Sequence, residues 1–184
     1  MKDSSIKQSS KTKASETKAS GINVPGRSSK GSLKSLVIAI LIPEAVGLLS
    51  GLISGGASRG QYEILLQPPF APPPIVFPII WPILYLLMGI ASWLVWRDCP
   101  GGNQRALRLY AVQLAVNFLW PIFFFNLQMR LFAFFWLCLL LVLVWLTILA
   151  FGRCSRTAAL LMIPYLLWTC FALYLNLGIW LLNG

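Results

Sequence analysis

Five apolar stretches, each close to twenty residues long, dominate this 184-residue sequence. A helix needs about 20 apolar residues to cross the hydrocarbon core of a bilayer, where only helices and closed barrels satisfy every backbone hydrogen bond. Only 11% of the residues are charged, against roughly 25% in soluble domains. The sequence therefore predicts an all-α integral membrane protein, a five-helix transmembrane bundle over residues 35–184. The expected spans are about 35–55, 75–96, 106–126, 131–150 and 158–182.

Residues 1–34 differ from the rest of the chain in composition. They are rich in Ser, Lys, Thr and Gly and contain almost no large apolar side chains. Such a segment cannot bury enough apolar surface to offset the entropy lost on folding. We therefore expect a disordered basic tail, whose lysines would be attracted to anionic membrane lipids.

The positive charges are distributed unevenly along the chain. Eight of the fifteen Lys and Arg residues precede residue 35, and five more lie in or beside the 97–105 and 152–157 connections, on the same side of the membrane as the tail. Only Arg59 and Arg130 fall on the other side. This asymmetry predicts a cytoplasmic amino terminus and explains the basic charge without a nucleic-acid partner. It does not indicate which membrane holds the protein.

Several common kinds of site have no residues to build them. The sequence contains no histidine, which removes the commonest general base, metal ligand and haem axial ligand. We expect no metal site and no required cofactor. The cysteines show no CxxC and no paired spacing, so neither a zinc site nor a disulfide framework is expected. They are Cys99, Cys138, Cys154 and Cys170.

Glu44 is the only acid inside a predicted span, and it follows Pro43 near the middle of span one. A carboxyl group in a bilayer is costly unless it is protonated or paired. A functional acid and a neutral, hydrogen-bonded structural acid both remain open interpretations.

Proline is concentrated at the start of span two, where residues 68–82 read PPFAPPPIVFPIIWP. A proline inside a helix removes one backbone hydrogen bond and bends the helix. Several bent helices around one axis tend to leave a cavity, although the same kinks are tolerated in a well-packed bundle. The prolines within predicted spans are Pro43, Pro78, Pro82, Pro121 and Pro164.

Small residues also recur in span one, where Gly47, Gly51 and Gly55 follow a four-residue spacing. Such a stripe lets a second helix approach closely. Span four has no proline, glycine or charge, and we expect much of its surface to face lipid.

Aromatic and polar residues repeat at helical spacing in three spans, so that each set lies on one helix face. These faces suit a flat, largely apolar ligand held by a few hydrogen bonds. The alternative is that the amides bond across helices and only stabilise the bundle. The sets are Trp81, Tyr85, Met88 and Ser92; Gln113, Asn117 and Trp120; and Tyr165, Trp168, Ala172 and Asn176.

Three motifs in order resemble those of the translocator proteins, also called tryptophan-rich sensory proteins or peripheral benzodiazepine receptors. QYEILLQPPFAPPPIVFPIIWPILYLLMG at 61–89 is similar to the family's first loop and second helix. QLAVNFLWPIFFF at 113–125 resembles its third-helix motif, and PYLLWTCFALYLN at 164–176 resembles its fifth-helix motif.

The resemblance implies a five-helix bundle, often a homodimer, that binds protoporphyrin IX or haem as ligand. Animal members also bind cholesterol and benzodiazepine-like drugs. The family pocket opens beneath the first loop, where the proline-rich run would form a stiff rim. Matching positions make seven residues candidates to line the pocket: Tyr62, Phe70, Trp81, Asn117, Trp120, Trp168 and Ala172.

The resemblance implies a binding protein or sensor-transporter for tetrapyrroles and other flat hydrophobic ligands. An alternative is light- and oxygen-dependent degradation of protoporphyrin, for which Trp81 and Trp168 are the catalytic candidates. A second alternative is a structural or stress-related membrane adaptor. Phe70 stands where the family favours tryptophan, and no cation follows Tyr174, so binding through the animal cholesterol motif is not expected.

Overall fold

The computed structural model describes residues 32–99 and 103–184, without the side chains of 56–61. The predicted disordered tail lies almost wholly outside these residues. Every regular element within them is helical, and five stretches are long and apolar enough to cross a membrane. The predicted fold is confirmed. The helices are α1 (Leu33–Ile64), α2 (Val76–Asp98), α3 (Gln104–Pro121), α4 (Arg130–Gly152), α5 (Arg156–Leu161) and α6 (Ile163–Asn183).

Helix boundaries differ from the predicted spans at three places. The helix of span one continues to Ile64, well beyond the predicted end at 55. Span five consists of α5 and α6, and Pro164 lies in the first turn of α6, where its missing N–H costs no hydrogen bond. After Pro121 the backbone widens into a π-helical segment, Ile122–Asn126. Prolines therefore lie at helix boundaries here as well as inside helices.

Helices α1 and α2 cross at very close range. A Cβ atom added at Gly89 would lie 2.6 Å from the Cα of Ile40, and one at Gly47 would overlap the ring of Tyr85. By contrast, a Cβ at Gly51 would meet nothing within 4 Å. The predicted stripe thus makes its close contact at Gly47, and Gly89 supplies a second close approach that the spacing did not predict.

Polar side chains connect the helices through backbone oxygens. Ser50 of α1 donates to the carbonyl of Phe118 (2.9 Å), and Trp136 of α4 donates to that of Val116 (2.8 Å). Such bonds each stabilise a membrane bundle by about 0.6–2 kcal/mol. Glu44 is half-buried and makes no hydrogen bond or ion pair with the described residues.

The expected exposure of span four agrees with one face of its helix, where Phe135, Val142 and Trp145 are exposed, while the opposite face is buried. In its most apolar stretch 33% of the residues are buried, against 11% in span one. Helix α4 packs against α3 on one side and α6 on the other, and its Ala133 and Val144 are fully buried. A uniformly apolar helix fits lipid and protein neighbours equally well, so composition could not show which of its faces would be buried. Span one is the helix that exposes most of its surface.

A disulfide joins Cys99 to Cys154, so the expectation of no disulfide was wrong. The bond ties the connection after α2 to the turn before α5. Asn103, which caps the start of α3, also donates to the sulfur of Cys154 (3.0 Å). The two cysteines are 55 residues apart, and only the bundle brings their connections together at one end.

Reducing this disulfide is expected to lower the melting temperature of the protein. A typical disulfide stabilises by about 2–4 kcal/mol, chiefly by restricting the unfolded chain. We expect the lower end of that range, because helices persist when membrane proteins unfold in detergent. Thermal unfolding of the wild-type protein with and without a thiol reductant measures the effect. In Cys99→Ser the reductant should change nothing, and an unaffected wild-type Tm would contradict the prediction.

Candidate functional site

Aromatic rings from α2 and α6 meet beside an amide from α3 in the middle of the bundle. The ring of Trp81 stacks on that of Tyr85 (centroids 5.4 Å apart) and meets that of Tyr165 edge-on (6.4 Å). Asn117 donates its amide hydrogen to the phenol oxygen of Tyr85 (2.9 Å). These four residues form one continuous group, called the aromatic site below.

A second row of rings leads from the first loop to α6. Phe77 meets Tyr62 on one side (5.2 Å) and Trp168 on the other (6.0 Å), both edge-on. Tyr62 donates its hydroxyl hydrogen to the carbonyl of Pro72 in the loop (3.0 Å). Burial raises the pKa of the Tyr62 phenol above its ordinary value. The row therefore links the loop to Trp168.

The remaining candidate residues lie at different distances from these rings. Trp120 donates to the side-chain oxygen of Asn176 (3.2 Å) and stacks on Phe124 (5.4 Å), so it joins α3 to α6. Ala172 is partly buried against the core. Phe70, with a positive φ of 64°, is 90% exposed at the loop surface. The structure brings Trp120 and Ala172 into the bundle but leaves Phe70 outside it.

The loop between α1 and α2 is fastened to the far end of α6. Pro68 packs so closely on Gly178 that a Cβ there would lie 2.6 Å from the proline Cβ. The Tyr174 hydroxyl donates to the carbonyl of Pro69 (2.7 Å). The Asn183 side chain accepts from the N–H of Leu66 (3.0 Å) and donates to its carbonyl (2.9 Å).

These loop contacts involve residues that sequence reasoning missed. Tyr174 and Gly178 are one helical turn apart, so their shared face was visible in the sequence. What that face meets was not, because Pro68 and Pro69 lie more than a hundred residues earlier. The expectation that the proline-rich run forms a rim agrees with this arrangement.

An apolar groove of about 380 Å³ separates α2 from α6. The groove is open along one side, because Ile83 and Leu167 in its lining are exposed. Trp168 borders both the groove and the row of rings, and its indole N–H is buried without a hydrogen-bond partner among the described residues. The groove is lined by Ile80, Ile83, Leu84, Leu87, Pro164, Leu167, Trp168 and Phe171.

The groove and the aromatic site offer stacking surfaces and neutral hydrogen-bonding groups. Within the described part of the chain, no three His, Cys, Asp or Glu side chains lie together as metal ligands would. The ring faces of the groove and the aromatic site can stack on a flat apolar body, and the amide and phenols can orient it.

Comparison with known proteins agrees with the motifs. The TspO/MBR family model matches residues 39–181, which contain the aromatic site, the row of rings and the loop. The chain belongs to the TspO/MBR family. Among its TspO/MBR relatives, the translocator protein of Ovis aries is 37% identical over 143 residues, covering 76% of this chain and 85% of its own.

Two further relatives come from distant organisms. The tryptophan-rich protein TspO of Archaeoglobus fulgidus is 35% identical over 153 residues, or 83% of this chain and 99% of its own. The translocator protein homolog of Schizosaccharomyces pombe is 38% identical over 149 residues, which cover 79% of this chain and 90% of its own. Family membership agrees with an integral multi-pass membrane protein, whereas the cytoplasmic position of the tail stays a prediction.

Proposed function

We propose that this TspO/MBR protein binds flat, largely apolar tetrapyrroles such as protoporphyrin IX or haem within the membrane, as a sensor or transporter. The observation that carries the proposal is the aromatic site beside the groove. Trp168 lines the groove, Trp81 stacks on Tyr85 in the aromatic site, and Asn117 places an amide between helices. Each favourable ring pair contributes about 0.5–1.5 kcal/mol beyond the burial of its area.

Absorption titration of protoporphyrin IX against the purified protein in detergent, in darkness, tests this function. We expect a saturable spectral shift, weakened about tenfold in Asn117→Leu because a hydrogen bond within the aromatic site is lost. Trp145→Phe is the matched control, since Trp145 is 51% exposed on α4, away from the groove. Thermal unfolding of each variant separates lost binding from lost fold.

The outcome of that titration decides between the function classes. Absence of any saturable shift would overturn the tetrapyrrole function and favour the adaptor. An equal shift in wild type and Asn117→Leu would remove Asn117 from the site while leaving a binding protein.

Porphyrin degradation by dioxygen in light is a second candidate function, favoured by the unpartnered indole N–H of Trp168 beside the groove. Timed illumination of the bound complex tests it. A spectrum that persists in light indicates binding alone. Bleaching that disappears in Trp168→Phe, while dark binding is retained, would identify an enzyme.

A further inference from the structure

Gln113 is completely buried in the middle of α3, and neither its amide oxygen nor its amide nitrogen has a hydrogen-bond partner among the described residues. A buried polar group without a partner costs about 1–3 kcal/mol. Folded proteins contain few such groups, and each calls for an explanation. An amide that only joined helices would be bonded to a neighbouring helix, as Asn117 is to Tyr85.

Two phenols share this environment. The hydroxyls of Tyr110 and Tyr165 are also buried, each beside one other hydroxyl, that of Ser92 for Tyr110 and that of Thr169 for Tyr165. Tyr110 lies three residues before Gln113 on the same face of α3. Tyr165 of α6 belongs to the same buried cluster as Tyr110 and Tyr85. Tyr110, Gln113 and Tyr165 are called the polar floor below.

Nearby hydroxyls are already committed to the backbone. Ser92 donates to the carbonyl of Gly89 (2.9 Å), and Thr169 donates to that of Tyr165 (2.8 Å). Their protons are therefore unavailable to the amide oxygen of Gln113. Within the polar floor, Gln113 is therefore the residue whose donor and acceptor both lack a partner among the described residues.

The polar floor adjoins the aromatic site directly. The ring of Tyr165 belongs to both, because it meets the ring of Trp81. Asn117, one helical turn from Gln113, holds the phenol of Tyr85, on which Trp81 stacks. Gln113 is therefore the next polar side chain along the face of α3 that carries Asn117.

We propose that the polar floor is a subsite for a neutral hydrogen-bonding group of the ligand, an inference that rests on the proposed function. The amide of Gln113 presents a donor and an acceptor side by side, which matches a protonated carboxylic acid. None of the three residues is charged, so an ionised carboxylate would be buried without a countercharge, at high cost. The floor therefore selects the acid in its neutral form.

Gln113→Leu tests the subsite through two independent measurements. Without ligand, its Tm should equal or exceed that of the wild type, because an apolar side chain of similar size removes an unbonded buried amide. The wild type should bind protoporphyrin IX about tenfold more tightly than its dimethyl ester, which lacks the acid hydrogen, and in the variant this ratio should fall to about one.

Thr147→Val provides the matched control. Thr147 is also fully buried, but it lies on α4 and its hydroxyl donates to the carbonyl of Leu143 (2.7 Å). This variant should lower the Tm and leave the ratio of acid to ester affinity unchanged. A polar-to-apolar change in the core is therefore not expected to produce the Gln113→Leu result by itself.

Each other outcome has a separate meaning. A lower Tm in Gln113→Leu would show that the amide bonds across helices, which overturns the subsite. If both compounds bind and the ratio of acid affinity to ester affinity is the same in wild type and variant, the subsite is overturned and tetrapyrrole binding is left intact. Failure of the wild type to bind either compound would overturn both proposals.

Discussion

Gly89→Ala is expected to destabilise the bundle by about 3 kcal/mol, near the upper end for overpacking a core. The added Cβ would lie 2.6 Å from the Cα of Ile40 and 2.8 Å from the carbonyl oxygen of Ala39. Both are backbone atoms of α1, so no side-chain rotation can relieve the overlap. The two helices must separate along their crossing, and contacts at neighbouring positions such as Gly47 weaken with them.

Thermal unfolding in detergent, followed by circular dichroism, measures this loss. Gly51→Ala is the matched control, because its Cβ would meet nothing within 4 Å and alanine favours a helix by roughly 1 kcal/mol over glycine. The control should equal or exceed the wild type in Tm. Equal melting temperatures for Gly89→Ala and Gly51→Ala would show that α1 and α2 do not cross as described.

If the protein binds protoporphyrin IX as proposed, Gly178→Val should accelerate its release by about tenfold or more while changing Tm little. The new Cβ would lie 2.6 Å from the Cβ of Pro68, whose ring cannot rotate away. The loop must therefore lift from α6, straining the bond between Tyr174 and Pro69. Because the helices beneath remain packed, the change should appear chiefly in the dissociation rate.

Stopped-flow transfer of porphyrin to excess apomyoglobin gives that rate. Gly152→Ala is the matched control, since its Cβ would meet Ala159 at an ordinary 3.6 Å. If Gly178→Val releases porphyrin at the wild-type rate with its fold intact, the loop does not retain the ligand.

Local features of the sequence were sufficient for the five spans and for several helix faces. The length of an apolar run determines whether it can cross the bilayer. Spacings of three and four residues placed Trp81 and Tyr85 on one face, and the structure stacks their rings. What a face meets depends on helices distant in sequence, so the contact of Gly89 with Ile40 was not predictable.

The features that sequence reasoning missed share this cause. Phe70 has a positive φ and is 90% exposed, and no spacing reveals a backbone angle. Cys99 and Cys154 meet only because two connections end at the same side of the bundle. Gln113 was recognised as part of a face, yet only the packing shows that its amide has no partner.

The bonds between the loop and α6 also bear on the order in which the protein is made. Leu66 leaves the ribosome long before Asn183, its partner across 117 residues of sequence. During that interval the growing chain can insert its earlier helices, but the loop still lacks the α6 residues to which it is bonded in the folded protein. The rim over the bundle can be completed only after α6 arrives, so a nascent chain with four inserted spans would still be open to the surrounding water.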